Sequence, residues 1–414
     1  MASAVMAAGS AAGTRGKCFL CLAAVLILLT FGSRPAAAEP ATDAPAGRYP
    51  LVADRAVRNI IFLIGDGMGT AQIVAARIRA HGAGGWLAMD RMPVIGHVKT
   101  YSADQLVTDS AAAGTALAAA IKTDNMMVAM EPDGTPVRTI MEAAHRKGLA
   151  TGLVVTATLT HATPAVFAAH LPNRYDEAAV APQLLNAEVD VLLGGGRSYF
   201  LPDNRPGGLR KDGRDIITEA IQGGYRYVDT PQALKKVKSG KLLGLFADGA
   251  LTTEPPEPSL ADMTQRALAL LSQNRHGFFV MIEGSQIDWG GHRNNPEQTV
   301  RQTLLFDAAV QVAVEFARRD DHTLVVVTAD HETGGMAIVG GRLDGSEVEI
   351  AWTTHHHTGV DVPIFAFGPH AIDFTGTLDN TDIPQRMARR LGLSLLPGRP
   401  LQGKAAANVE TVDN

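Results

Sequence analysis

Hydrophobic positions along the chain fall into two kinds of run. Short continuous runs bounded by glycine or a charged residue read as strands buried on both faces. Runs spaced three to four residues apart read as helices that cover such strands. Strands are expected at Asn59–Ile64 (NIIFLI, broken by Gly65-Asp66-Gly67), Pro93–Lys99, Ala150–Thr156, Val189–Leu193, Gly277–Ile282, Leu324–Thr328 and Val362–Phe367. Helical spacing predicts Thr70–Arg79, Asp109–Ile121, Val137–Lys147, a helix near Pro164–His170, Leu260–Ser272, Glu297–Arg318 and Ile383–Leu391. Such alternation predicts an α/β fold, a three-layer sandwich with a central, mostly parallel sheet flanked by helices. Residues 197–258, with the proline-rich EPPEP at 254–258, mix short periodic pieces with loops and read as an irregular insertion. Gly194–Gly196 reads as a turn, and no internal repeat is evident.

Composition refines this picture at the ends. The 414 residues carry 37 basic and 42 acidic side chains, and the formal net charge of −5 argues against a nucleic-acid partner. Arg15 and Lys17 precede the apolar CFLCLAAVLILLTFG, and Ala36-Ala37-Ala38 follows it. That order reads as a secretory signal peptide over 1–38, which predicts export to a periplasmic or extracellular location. The apolar run is shorter than the roughly 20 residues of a membrane helix, so no stable span is expected, a retained N-terminal anchor being the alternative. Residues 39–50 read as a mobile leader, 51–402 as a single domain, and 403–414 as a flexible tail. Both cysteines, Cys18 and Cys21, lie in the signal. The mature chain is then expected to have no disulfide, thiol nucleophile or cysteine metal ligand.

In open α/β sheets ligands bind beyond the carboxyl ends of the strands, and polar residues gather there in this chain. Asp66 follows the first strand. Glu283 follows FFVMI within MIEGSQIDWGGH, which also holds Asp288 and His292, while Asp330 and His331 follow LVVVTA within TADHETGG. His357 ends a run of three histidines before VPIFAF. Singly, each reads as a turn former or a hydrogen-bonded core residue. Converging on one sheet edge, they would repel or stay unsatisfied without a cation. Without cysteine, His and carboxylate donors point to zinc, and a carboxylate-plus-hydroxyl set points to magnesium. VTDSAAAGTA at 107–116 adds Asp109 and Ser110 ahead of small residues, which fits a capped, closely packed helix or an accessible serine nucleophile.

These motifs resemble the alkaline phosphatase family. VTDSAAAGT fits its active-site signature, with Ser110 at the phosphorylated serine. IFLIGDGMG, VVTATLTHATP, HLPNR, MIEGSQIDWGGH, TADHETGG and HTG with PIFAFGPH follow in the family's order over about 59–370. The resemblance implies hydrolysis of phosphate monoesters through a phosphoserine, with small phosphomonoesters as substrates. It implies one Zn2+ on Asp288, His292 and His357, a second on Asp66, Asp330 and His331, and one Mg2+ on Asp66, Thr163 and Glu283. Arg174 in HLPNR matches the arginine that grips phosphate oxygens, and Asp109 would orient that arginine or backbone amides. His161 and Trp289 stand where relatives vary, His161 as a supporting or alternative ligand of the third metal. Many relatives are dimers, which implies a homodimer, although no segment gives a local dimer signal.

His355 and His356 read as solvated loop residues, and Trp352 fits either the site or surface packing. The short interval from His331 to His357 leaves little room for an added lobe. A phosphodiesterase of the same superfamily is the enzymatic alternative; Arg174 argues against it, because it would grip an oxygen that a diester has substituted. A non-catalytic phosphate- or zinc-binding relative would require a missing nucleophile or ligand, and a sulfatase would want a cysteine that the mature chain lacks.

Overall fold

The computed structural model describes residues 48–395. The expected signal peptide with both cysteines, most of the leader and the tail from 403 lie outside the described residues. The first half runs β1 (Asn59–Gly65), α1 (Thr70–His81), β2 (Val94–Lys99), α2 (Ser110–Ala119), α3 (Ile140–Arg146), β3 (Ala150–Thr158), α4 (Ala162–Ala165), α5 (Glu177–Asn186) and β4 (Val191–Gly195). Then come α6 (Ile216–Gln222), β5 (Arg226–Val228), α7 (Pro231–Lys236), β6 (Leu242–Leu245), α8 (Leu260–Leu271), β7 (Phe278–Gly284), α9 (Gln286–His292) and α10 (Pro296–Arg319). The last stretch holds β8 (Thr323–Thr328), β9 (Glu332–Thr333), β10 (Ala337–Gly341), β11 (Val348–Ala351), β12 (His357–Thr358), β13 (Val362–Phe367), β14 (Gly376–Asp379) and α11 (Asp382–Leu391).

Ten strands form the main sheet in the order β14-β2-β13-β8-β1-β7-β3-β4-β6-β5. Within it β13 runs against both of its neighbours, and the other pairs are parallel. The central strands β1, β7 and β8 are buried along their whole length, as their unbroken apolar runs predict. Successive residues point to opposite faces: Phe278 meets Phe316 of α10, and Phe279 meets Phe167 beyond α4. Helices therefore cover both faces. Burying each of these phenylalanines contributes about 1.5–3 kcal/mol, and Phe62→Ala would cost about 3–5 kcal/mol through lost transfer energy and the cavity left behind.

Register sets the site. Ile64 pairs with Glu283 on one side and Thr328 on the other, so the strands β1, β7 and β8 end level with each other. The residues that follow must then share one edge.

Two expectations are corrected. Gly194 and Gly195 lie inside β4 rather than in a turn, because a Cβ on Gly195 would sit 2.2 Å from the Gly249 carbonyl oxygen. The 197–258 segment is not irregular throughout: its β5 and β6 extend the sheet beyond β4. Between His331 and His357 the chain forms the β10–β11 hairpin, whose Ile338 and Ile350 pack with Trp352 on Ala75 and Val300.

Candidate active site and metal centre

Asp66 directly follows β1, Glu283 sits near the end of β7, and Asp330 and His331 follow β8. Asp288 and His292 lie one turn apart on α9, and His357 opens β12. The fold brings all of them together. His292 Nε2 lies 3.1 Å from His357 Nε2, and the two nitrogens lie 3.3 and 3.4 Å from Asp288 Oδ1. His331 Nε2 lies 3.2 Å from Asp330 Oδ2 and 3.6 Å from Asp66 Oδ1. The His331 and His357 rings stack at 3.5 Å, so the two clusters adjoin. Ligand atoms of Asp66, His161 and Glu283 converge in a third group. Thr163, also assigned to this third set, is fully buried in α4.

Ser110 is the first residue of α2, and its Oγ lies 3.2 Å from His331 Nε2. Asp109 is the N-cap: its Oδ1 accepts the Ala112 N–H at 2.9 Å. The small residues behind Ser110 let α2 approach α4, since a Cβ on Gly114 would come within 2.8 Å of Val166 Cγ2. The other Asp109 oxygen accepts from Met126 N–H at 3.1 Å and from Arg174 Nη1 at 3.0 Å. Asp109 thus both starts the helix and aims the arginine. Arg174 Nη2 lies 3.4 Å from His161 Nε2, and the His161 and Trp289 rings meet edge to face at 6.5 Å.

The tautomers of His292 and His357 are fixed by backbone carbonyls. His292 Nδ1 donates to the His355 carbonyl at 2.6 Å and His357 Nδ1 to the Thr108 carbonyl at 2.8 Å. A carbonyl only accepts, so each Nδ1 carries its proton and each Nε2 faces inward, the usual arrangement of a metal-binding imidazole. Burial pushes Asp66 well above the usual carboxylate range, with the charges of Asp330 and Asp288 adding to it. Burial likewise pushes Glu283 up to about 8 and Asp330 up to about 6. Burial also acts upward on Asp288, but its close contacts with His292 and His357 outweigh it and hold this carboxyl well below its usual range. Burial and the Arg174 charge lower His161 to about 4, favouring a neutral ring.

Both oxygens of Asp66, both of Glu283, Asp330 Oδ2, Thr163 Oγ1 and His161 Nδ1 are buried without a hydrogen-bond partner. Orphaned acceptors at this density are costly unless a cation meets them. The donor chemistry fits divalent metals: histidine with carboxylate in two groups, mostly oxygen in the third.

The family model for alkaline phosphatase matches residues 57–348 and 345–393. The chain belongs to the alkaline phosphatase family. It is 35% identical to alkaline phosphatase 3 of Bacillus subtilis, across 89% of this chain and 96% of that protein. It is also 35% identical to the alkaline phosphatase of Escherichia coli K12, across 85% and 89%. The structure of alkaline phosphatase from the Antarctic bacterium TAB5 superposes with a TM-score of 0.74 at 33% identity, across 83% of this chain and all of that one. Variants of the Antarctic enzyme in which a histidine is replaced by aspartate or glutamate hold Mg in their M3 site. The present chain is accordingly a phosphomonoesterase with a metal-binding centre.

Around this alkaline phosphatase centre the structure adds residues without a signal of their own in the sequence. Glu332 accepts from Gln72 Nε2 at 2.7 Å, from the Gly335 and Met336 N–H groups at 3.1 Å each, and from Thr358 Oγ1. Thr333 donates to Asp288 Oδ1 at 2.5 Å and lies 3.2 Å from His331 Nδ1. His355, expected only to be solvated, supports His292 through its backbone carbonyl. Trp352 packs over Gly334, where a Cβ would come within 2.5 Å of its ring. Among the described residues no helix is long and apolar enough to cross a membrane.

Proposed function

We propose that the phosphatase works through a phosphoserine on Ser110. Two Zn2+ would be held by Asp288, His292 and His357 and by Asp66, Asp330 and His331, and Mg2+ by Asp66, Thr163 and Glu283. His161 stands beside the third set and offers it a nitrogen donor. When bound, the ions supply positive charge that favours the serine alkoxide and steadies the departing oxygen.

Ser110 Oγ attacks phosphorus, the bond to the alcohol oxygen breaks, and the alcohol leaves. Water then cleaves the phosphoserine, which restores Ser110 and frees inorganic phosphate. Arg174, held in place by Asp109, grips two phosphate oxygens bidentately, a geometry lysine does not reproduce. The N-terminus of α2 points its positive end at the same anion. The observation that carries this reading is the position of Ser110 Oγ, 3.2 Å from His331 Nε2 and beside buried carboxylates with orphaned oxygens.

We further propose one catalytic domain over 51–402, which should unfold in a single cooperative transition, export through the N-terminal segment, read from the mature N-terminus, and a homodimer, read from the mass of the purified protein in solution. Acid-quench trapping of phosphoserine, run beside Ser110→Ala, tests the mechanism. Phosphate on Ser110 and near-complete loss of turnover in the variant are expected; turnover at the wild-type rate in Ser110→Ala would exclude it.

A further inference from the structure

We infer that Thr333 is a positioning residue that ties the two histidine–carboxylate metal clusters together through one hydroxyl. The inference rests on the metal centre proposed above. Thr333 Oγ1 has one proton, and it goes to Asp288 Oδ1 at 2.5 Å. The contact of 3.2 Å with His331 Nδ1 then requires the imidazole to donate, because the hydroxyl has only lone pairs left to offer. His331 is thereby fixed with its proton on Nδ1. Its Nε2 presents a lone pair toward Ser110 Oγ and the oxygens of Asp330 and Asp66. His292 and His357 reach the same tautomer through backbone carbonyls. His331 alone of the three takes its partner from a side chain, and that side chain also holds a carboxylate of the other cluster.

Thr333 can do this because it cannot move. It is fully buried. Its N–H donates to the Gly67 carbonyl at 3.2 Å, its carbonyl accepts from Gln72 Nε2 at 2.9 Å, and its strand pairs it with His357. Two glycines close around it: a Cβ on Gly67 would lie 2.8 Å from Thr333 Oγ1, and one on Gly291 would lie 2.9 Å from Thr333 Cβ. The neighbouring Glu332 locks the other half of the strand by accepting from Gln72, Gly335, Met336 and Thr358. The pair Glu332–Thr333 therefore fastens β12, and with it His357, to the loop that carries Asp330 and His331.

Thr333→Val keeps the shape and removes the hydroxyl; Thr333→Ser keeps the hydroxyl. Zinc retained against rising EDTA is measured by elemental analysis on wild type and both variants, with melting temperatures taken in excess EDTA. Outer partners of metal ligands typically contribute 10- to 100-fold in metal affinity. We expect Thr333→Val to lose zinc at about 10- to 100-fold lower EDTA and Thr333→Ser to stay within about threefold of wild type. KM should change little once zinc is restored, because Thr333 does not touch substrate. Wild-type zinc retention in Thr333→Val overturns the inference, as does a serine variant as weak as the valine one. A valine variant whose melting temperature in EDTA falls as far as its zinc retention would also overturn it, by reducing Thr333 to a packing residue. Wild-type protein that holds no zinc would instead overturn the metal centre on which the inference stands.

Discussion

Replacing Arg174 with alanine separates phosphate recognition from the rest of the centre. The guanidinium is held by Asp109 at 3.0 Å and reaches the site beside His161. A hydrogen bond to a charged group contributes about 1.5–3 kcal/mol, so a bidentate grip on phosphate contributes about 3–6 kcal/mol. At about 1.4 kcal/mol per tenfold, kcat/KM for a monoester should fall by roughly a hundred- to ten-thousandfold. The fold should suffer far less, because Asp109 keeps its bonds from the Ala112 and Met126 N–H groups and α2 keeps its cap. The assay compares kcat/KM for one monoester and its methyl diester in wild type, Arg174→Ala and Arg174→Lys, with thermal melts alongside. The monoester should lose much more than the diester, and lysine should restore only part of the loss. An alanine variant within about threefold of wild type on the monoester, or a lysine variant with full activity, would refute the grip.

Further outcomes follow from other parts of the structure. Prolonged dialysis against EDTA should abolish turnover and lower the melting temperature, with recovery on adding zinc and magnesium together; full activity in chelated protein would sink the metal reading. Gly67 has φ 73°, and a Cβ there would lie 2.6 Å from Asp288 Cα. Gly67→Ala should therefore destabilise by about 2–6 kcal/mol, from backbone strain and overpacking together, as read by urea unfolding. Burial acts downward on His170, but its bond to Glu142 at 3.0 Å prevails and raises it above the ordinary 6.5. The charged pair thus stabilises fully below pH 6.5, and that contribution is lost as pH rises through the elevated value. Urea unfolding across that range should show the decline in wild type and a flatter profile in Glu142→Gln.

The central strands were legible because burial on both faces leaves an unbroken apolar run, as in NIIFLI and FFVMI. Their shared register then carried the site: once Asp66, Glu283 and Asp330 end neighbouring strands, their convergence follows. The strands β5 and β6 were not legible, since they have three and four residues and a glycine among them. Periodicity needs more length than that. Gly194 and Gly195 misled for a related reason, as the close approach of the Val155 side chain to Gly194 and of the Gly249 backbone to Gly195, rather than a turn, demands the missing side chains. The short α9 hides behind two glycines of low helix propensity, although the spacing of Asp288 and His292 is that of one helical turn. Thr333 is the instructive omission. In TADHETGG it looks like a turn residue before paired glycines, and only its burial and its two hydroxyl contacts reveal its place.

The central claim is that Ser110 carries the phosphate during turnover. Metal-replete protein is incubated with inorganic phosphate at acidic pH, quenched in acid, digested and read by mass spectrometry. A phosphorylated peptide spanning VTDSAAAGTA, with the modification on Ser110 and absent from Ser110→Ala, is predicted. Phosphate on another residue, or full turnover in Ser110→Ala, would contradict the account.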